Sequence, residues 1–341
     1  MPRSLSRRPR VLLAMAPDIA TALFDASSMT RLITVADVDP ELVVDDFGDP
    51  AAASALGDAE LLLTGWGAPI LDADALAAAP RLRAVVHAAG SVRRHVTEAC
   101  WHRGLQITSA AWANALPVAE YTVAMIVFAN KRLLRIRDGY REHRGSRPDL
   151  HQLYAAAGNY HRTVGIVGAS RIGRRVLELL RAYDLDVLLH DPYVTPSQAA
   201  SLGAEPVDLD ELCQRSDVVS LHAPQLPETR HLIDGPRLAM LPDGATLINT
   251  ARGTLVDQDA LIAELSTGRI DAVIDVTDPD VLPADSPLYS LPNVFLTPHV
   301  AGSLGTELQR LAMASVDEIQ RYAAGLPFAH AIKQEDLEYT A

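Results

Sequence analysis

The stretch TVGIVGASRIGRRVLELLRAYDLDVLLHDP, residues 163–192, constrains this chain more than any other. An apolar run of strand length leads into a glycine turn, an amphipathic helix and a second apolar run, all within the roughly 30 residues a βαβ unit requires. Gly168, Ser170 and Gly173 stand where a GxGxxG fingerprint has its three glycines, with Arg171 and Ile172 between the last two. The first glycine of such a motif permits a tight turn, the third permits close helix packing, and the second lets the backbone approach a pyrophosphate. Serine at the middle position costs some clearance without forbidding the ligand. Asp191 closes the second strand some 18 residues after Gly173, and no arginine follows it closely. A carboxylate there can bond both ribose hydroxyls of NAD and repel the extra phosphate of NADP, so NAD is the expected cofactor.

The rest of the chain extends this unit in both directions. Short apolar runs at residues 10–16, 60–64, 82–87 and 104–110 alternate with alanine-rich helical stretches, and further strands are expected in VVSLHAP, ATLINTA, AVIDV and VFLTPH. That alternation indicates an α/β chain with two Rossmann-like, doubly wound parallel sheets, with ligand chemistry at the carboxyl ends of the strands. A length of 341 residues favours two lobes, and 48% hydrophobic but only 5% aromatic residues suit helices packed on buried sheets. The segment LPVAEYTVAMIVFANKRLLRIRD is apolar nearly all round, which predicts a long buried helix from near Pro117 to near Gly139. Residues 141–159 are polar and aperiodic and read as an arm or loop. Residues 306–324 predict a clean amphipathic helix that could return to the first lobe.

A formal net charge of -13 works against binding nucleic acid, which draws on clustered lysine and arginine. Cys100 and Cys213 lack metal-like spacing, no metal site is expected, and two thiols in so long a chain suggest a reducing, cytoplasmic compartment. Ser6, Arg7 and Arg8 followed by VLLAMA imitate a twin-arginine export signal, but the apolar run is too short and ends at Pro17 and Asp18. No stretch approaches about 20 apolar residues free of charge, so no membrane span is expected.

HAPQLPETRHLI, NTARGTLVDQDAL, DAVIDVTDPD and LPNVFLTPHVAGS resemble, in order, the signature segments of the D-isomer-specific 2-hydroxyacid dehydrogenases, and the resemblance runs from about Leu82 to the last helix. It implies a cofactor domain inserted into a substrate domain: residues 1–113 with 304–341 for the substrate, and residues 114–303 for NAD. It also implies a homodimer and a small 2-keto or 2-hydroxy acid as substrate, of the glyoxylate or hydroxypyruvate kind. An extra regulatory domain after the last helix is not expected.

The resemblance carries over by position. Arg252 in NTARG corresponds to the arginine that fixes the substrate carboxylate and carbonyl oxygen, and His299 in TPH to the acid and base. The chemistry asks for both, because hydride transfer to a ketone places charge on oxygen that a proton donor and a fixed cation stabilise. The family has a glutamate five residues after the strand aspartate, where this chain has Asp280 after Asp275, a carboxylate one methylene shorter. Asp278 is a second candidate for the histidine's partner. Asp275 resembles the aspartate near the nicotinamide carboxamide, while Ala223, Pro224, Thr229 and Ala251 lie where the family lines the cofactor groove. Gly90, Ser91 and Val92 lie where backbone N–H groups bind the substrate carboxylate, without the usual second glycine. Asn114 resembles a residue near the substrate, Trp112 either narrows the pocket or packs, and Arg93 and Arg94 either add positive charge or start a solvated helix. Formate oxidation, which needs no acid and base, is disfavoured by Asp280. A binding protein that senses NAD(H) with little turnover is the competing reading, resting on Ser170 and Asp280.

Overall fold

The computed structural model describes residues 8–146, 149, 151 and 154–338. Two compact units divide them: the chain up to Asn114 together with the chain from Ser303 onward, and Ala115–Gly302.

Among the described residues the first unit holds a six-stranded sheet of β1 (Val11–Ala14), β2 (Val43–Val44), β3 (Leu61–Thr64), β4 (Ala84–His87), β5 (Gln106–Ser109) and β13 (Ala331–Ile332), ordered 13-5-4-3-1-2. Strands β1 to β5 are mutually parallel in the flavodoxin-like order 2-1-3-4-5. Their sequences VLLA, LLLT and AVVH are apolar throughout but for Thr64 and His87 at the ends of the last two, because both faces are covered. Alternate residues feed two cores. Leu13, Leu61, Leu63 and Val86 pack with Leu32, Leu311 and Ile319 on one face, and Leu12, Leu62, Val85 and Ile107 pack with Leu56 and Leu82 on the other. The helix Leu308–Ala323, at the place expected for the amphipathic tail, contributes Leu311, Val316 and Ile319 to the first of these cores. β13 runs antiparallel to β5, with Thr108 donating to the His330 carbonyl at 2.8 Å. An edge strand of two residues is too short to carry an alternating pattern.

The second unit holds, among the described residues, a wholly parallel seven-stranded sheet of β6 (Arg162–Val167), β7 (Leu185–His190), β8 (Glu205–Pro206), β9 (Val218–Leu221), β10 (Thr246–Asn249), β11 (Asp271–Ile274) and β12 (Val294–Leu296), ordered 12-11-10-9-6-7-8. Its first six strands in sequence follow the dinucleotide-binding order 3-2-1-4-5-6, whose switch point lies between β6 and β9. Both sheets are doubly wound as the sequence predicts, with the antiparallel edge as the addition.

The long apolar helix differs from expectation. It spans Ala111–Asn130, six residues ahead of Pro117, because the Ser109 hydroxyl accepts from the Ala111 amide at 3.3 Å and starts the helix early. It then breaks at Arg132, whose backbone is left-handed (φ 50°), before a second helix, Leu133–Glu142. The Ala111–Asn130 helix is also long and apolar enough to cross a membrane by length and composition, contrary to the expectation that no segment would be. Here Ala119, Val123, Ile126 and Ala129 are buried against Val164 and Ile166 of β6 and Val176. Part of the polar segment 141–159 lies outside the described residues, as do Ser6 and Arg7 of the signal-like start.

Candidate active site

The glycine turn sits at the carboxyl end of β6. Gly168 has φ 97°, and a Cβ there would lie 2.7 Å from the Ala223 amide, so only glycine brings the turn this close to the end of β9. A Cβ on Gly173 would lie 2.0 Å from the Gly168 carbonyl oxygen, so the helix Arg171–Leu180 rests directly on the turn. Ser170 is the N-cap of that helix, its hydroxyl accepting from the Gly173 amide at 3.3 Å. The serine thus does by capping what a glycine leaves to solvent or ligand. Arg171 is exposed and Ile172 half-buried against the core. The first amides of the helix have no intrahelical carbonyl to bond, which suits an anionic ligand.

Asp191 belts this turn from β7. Its carboxylate accepts from the Ala169 amide at 2.6 Å and the Tyr193 amide at 2.8 Å. A carboxylate offers about four acceptor sites, so these bonds are compatible with ribose hydroxyls. Behind the turn, His222 is buried with Nε2 2.9 Å from the Ser220 hydroxyl, and burial lowers its pKa to about 3. Ala223 is buried, and the loop from Pro224 is pinned by Thr229, whose hydroxyl donates to the Pro224 carbonyl at 2.6 Å and accepts from the Leu226 amide at 2.9 Å. Glycines that a Cβ would block, an exposed helix start and a carboxylate at the next strand end fit a dinucleotide.

The Arg252 turn follows β10. Asn249 builds it: Oδ1 accepts from the Ala251 amide at 3.1 Å, and Nδ2 donates to the Arg252 carbonyl at 2.9 Å. Thr250 is tied to Thr122 at 2.9 Å, and the Arg252 guanidinium donates to the Ala251 carbonyl at 2.6 Å. The sequence reading did not single out Asn249, although an Asn two residues before a tight turn is a turn-forming signal.

Asp275 is 2% exposed, and its carboxylate clasps the His299 turn, accepting from the Thr297 hydroxyl at 2.6 Å and the Val300 and Ala301 amides at 2.8 and 2.9 Å. Its carbonyl accepts from the His299 amide at 2.8 Å, and its own amide donates to Asn249 at 3.0 Å. Thr297 is in turn 3.0 Å from the Tyr121 hydroxyl. The clasp holds His299 in a left-handed backbone (φ 58°) and links it through Asp275 and Asn249 to the Arg252 turn. His299 Nδ1 lies 3.8 Å from Asp280 Oδ1, beyond hydrogen-bond distance. Asp278 is engaged elsewhere, with Arg230 at 3.4 Å and its amide bonded to Gln258 at 3.2 Å. The loop bearing Asp280 rests on Gly253, where a Cβ would come within 2.1 Å of the Thr277 carbonyl carbon.

In the first unit Gly90 and Ser91 are half-buried and Val92 is buried. A Cβ on Gly90 would meet Asn114 Nδ2 at an ordinary 3.6 Å, so contact alone does not demand glycine there. Asn114 accepts from the Ser303 amide at 3.0 Å. Trp112 stacks on His330 with ring centroids 4.9 Å apart, the packing alternative. Arg93 and Arg94 are exposed, Arg93 donating to the Leu337 carbonyl. Among the described residues no cluster has the makings of a metal site, and Cys100 and Cys213 are free and buried.

Residues 123–301 match the family model described as D-isomer specific 2-hydroxyacid dehydrogenase, NAD binding domain. The chain is 34% identical over 275 residues to D-3-phosphoglycerate dehydrogenase of Mycobacterium tuberculosis, a match covering 80% of this chain and 51% of that protein. It therefore spans about half the length of such relatives. It is 32% identical to glyoxylate reductase of Aeropyrum pernix over 75% of this chain and 77% of that one. Among solved structures it is similar to D-lactate dehydrogenase of Aquifex aeolicus complexed with NAD and lactic acid, at TM-score 0.70 and 27% identity over 92% of this chain and 96% of that one. It is likewise similar to TT0316 of Thermus thermophilus, at TM-score 0.74 and 29% identity over 95% and 100% of the two chains. With its glycine turn, its Asp191 belt and its clasped histidine, this chain belongs to the D-isomer specific 2-hydroxyacid dehydrogenases and carries their NAD-binding domain.

Proposed function

We propose that the chain is an NAD-dependent oxidoreductase acting on a small 2-hydroxy or 2-keto acid, and that it works in the cytoplasm as a homodimer. The observation that carries this reading is the hydrogen-bonded path from the Arg252 turn through Asn249 and Asp275 to the His299 turn, which fixes a cation and a proton-transfer group at the ends of β10 and β12, the two strands that flank β11. NAD, when bound, supplies the hydride acceptor or donor for carbon 2 of the substrate. In this reading Arg252 binds the carboxylate and polarises the carbonyl oxygen, since a guanidinium fork grips such a group in two places. His299 gives a proton to that oxygen in reduction and takes it in oxidation. Asp280 orients His299, Asp275 holds its turn, and the backbone of Gly90, Ser91 and Val92 in the first unit donates to the carboxylate. Gly168, Ser170, Arg171, Ile172 and Gly173 hold the pyrophosphate, Asp191 the ribose, and Ala223, Pro224, Thr229 and Ala251 line the groove.

The test is loss of NADH absorbance with glyoxylate, hydroxypyruvate, pyruvate, phenylpyruvate and 2-ketoisocaproate, repeated with NADPH and with His299→Ala. Turnover that disappears in the variant supports the proposal. The 3.8 Å gap between His299 and Asp280 favours one other reading, an NAD(H)-sensing protein with little turnover. Tight NADH binding without turnover on the whole panel would establish that reading instead.

A further inference from the structure

The helix Ala111–Asn130 reaches both the His299 and the Arg252 turns through two neighbouring side chains that the chemistry above does not use. The Tyr121 hydroxyl lies 3.0 Å from that of Thr297, two residues ahead of His299. The Thr122 hydroxyl lies 2.9 Å from that of Thr250, two residues ahead of Arg252. Thr122 is 0% and Thr250 6% exposed, so no water stands in for either partner. All of these residues belong to the second unit.

The direction of the first contact follows from its partners. The Thr297 hydroxyl donates to Asp275 Oδ1 at 2.6 Å, and a carboxylate has no proton to offer in return. A hydroxyl has one proton, so the Thr297 oxygen can only accept from Tyr121. Burial raises the Tyr121 pKa, which keeps the phenol protonated. The order is therefore Tyr121 to Thr297 to Asp275, whose carboxylate also accepts from the Val300 and Ala301 amides just past the histidine. His299 itself sits at φ 58°, a backbone that a residue with a side chain keeps only where its surroundings impose it.

The helix is a fixed base for these contacts. Ala119, Val123 and Ile126 are buried against Val164 and Ile166 of β6, and Phe128 meets Phe295 of β12 with ring centroids 5.5 Å apart. Successive helical residues point about 100° apart, so Tyr121 and Thr122 diverge towards the turns after β12 and β10, strands about 10 Å apart across β11. We infer that Tyr121 and Thr122 are positioning residues that set the spacing of the His299 and Arg252 turns from one helix, Tyr121 acting through Thr297 and Thr122 through Thr250. A proton donor and a cation that meet at one carbonyl oxygen tolerate little error, since a misplacement of about 1 Å can cost about a hundredfold in rate. This inference rests on the proposed dehydrogenase reading for what the two turns do.

The test compares Tyr121→Phe with Thr122→Val, each in the full chain. Tyr121→Phe is expected to lower kcat about fivefold, the effect of losing one neutral hydrogen bond, with the KM for the keto acid within about twofold, and to add nothing in a Thr297→Val background. Thr122→Val, which takes the partner from the buried Thr250 hydroxyl, is expected to raise KM about fivefold, and Thr122→Ser to restore it. Amide hydrogen exchange, which needs no turnover, is expected to quicken about fivefold at Val300 and Ala301 in Tyr121→Phe, with Val164 and Ile166 of β6 at the parent rate. A parent kcat or parent exchange at Val300 and Ala301 in Tyr121→Phe, independent effects of Tyr121→Phe and Thr297→Val, or a parent KM in Thr122→Val overturns the inference. Faster exchange of the β6 amides in Tyr121→Phe overturns it too, as a general loosening of the fold. A parent protein inert towards every keto acid overturns the dehydrogenase reading instead, and the hold on the His299 turn is then judged by the exchange result alone.

Discussion

Lengthening Asp280 by one methylene is expected to raise the proposed dehydrogenase activity. His299 Nδ1 and Asp280 Oδ1 are 3.8 Å apart, whereas an N–H···O bond requires about 2.7–3.2 Å. A carbon–carbon bond is about 1.5 Å long, so Asp280→Glu gains roughly an ångström of reach and brings the oxygen into bonding range. His299 and Asp280 side chains are 54% and 63% exposed within their unit, so solvent screens the pair. An exposed pair contributes about 0.2–1 kcal/mol, and a charge-assisted hydrogen bond places this one near 1 kcal/mol, or about fivefold in rate. The gain belongs to the direction in which an imidazolium forms, so the assay is the initial rate of NADH appearance with the 2-hydroxy acid partner of the best keto acid. Asp280→Glu is expected to raise kcat/KM about fivefold and Asp280→Asn to lower it by a similar factor. If Asp280→Glu gains nothing and Asp280→Asn matches the parent, the carboxylate is not the histidine's partner.

Gly253→Ala would set a Cβ 2.1 Å from the Thr277 carbonyl carbon; calorimetry is expected to show a loss of about 1–3 kcal/mol, typical of overpacking, together with a fall in kcat/KM as the Arg252 and Asp280 segments part. Ser170→Ala removes a helix cap and should cost about 1 kcal/mol in urea unfolding, while Ser170→Gly should cost only a few tenths. Acid should destabilise the fold through its buried histidines. His95 and His222 have folded pKa values lowered to about 4 and about 3 from 6.5. The unfolded chain thus binds protons that the native chain refuses, and stability present above about pH 6.5 is lost as pH falls towards those values. At pH 5 each costs about 2 kcal/mol, and a melting temperature that stays level from pH 7 to pH 5 would contradict the assignment of neutral, buried rings.

The second unit was readable because its strands are long apolar runs broken by glycine at forced positions. Gly168 and Gly173 have no room for a side chain, and that necessity is what makes the fingerprint visible. The edges were not readable: β2, β8 and β13 have two residues each, below any detectable period. Pro117 misled because proline usually marks a first turn, whereas a serine hydroxyl upstream started the helix earlier. Arg252, His299 and Asp280 are expected by resemblance, as is Asp275, whereas the other residues that hold their turns carry no such mark. Asn249, Gly253 and Thr297 act through contacts with residues 2 to 176 positions away in sequence, and hydrophobic period does not record such meetings. The contact of the Thr64 hydroxyl with His87 Nδ1 at 2.9 Å is hidden in the same way, since only strand register brings residues 64 and 87 side by side.

Asn114 and Ser303, the residues flanking the second unit, are joined by a 3.0 Å hydrogen bond. The whole of Ala115–Gly302 therefore leaves and re-enters the first unit at a single stitched point. A module attached in this way behaves as a cassette. A short flexible linker from Asn114 to Ser303 is expected to leave the flavodoxin-like sheet intact, with the helix begun at Ala111 cut short at the splice.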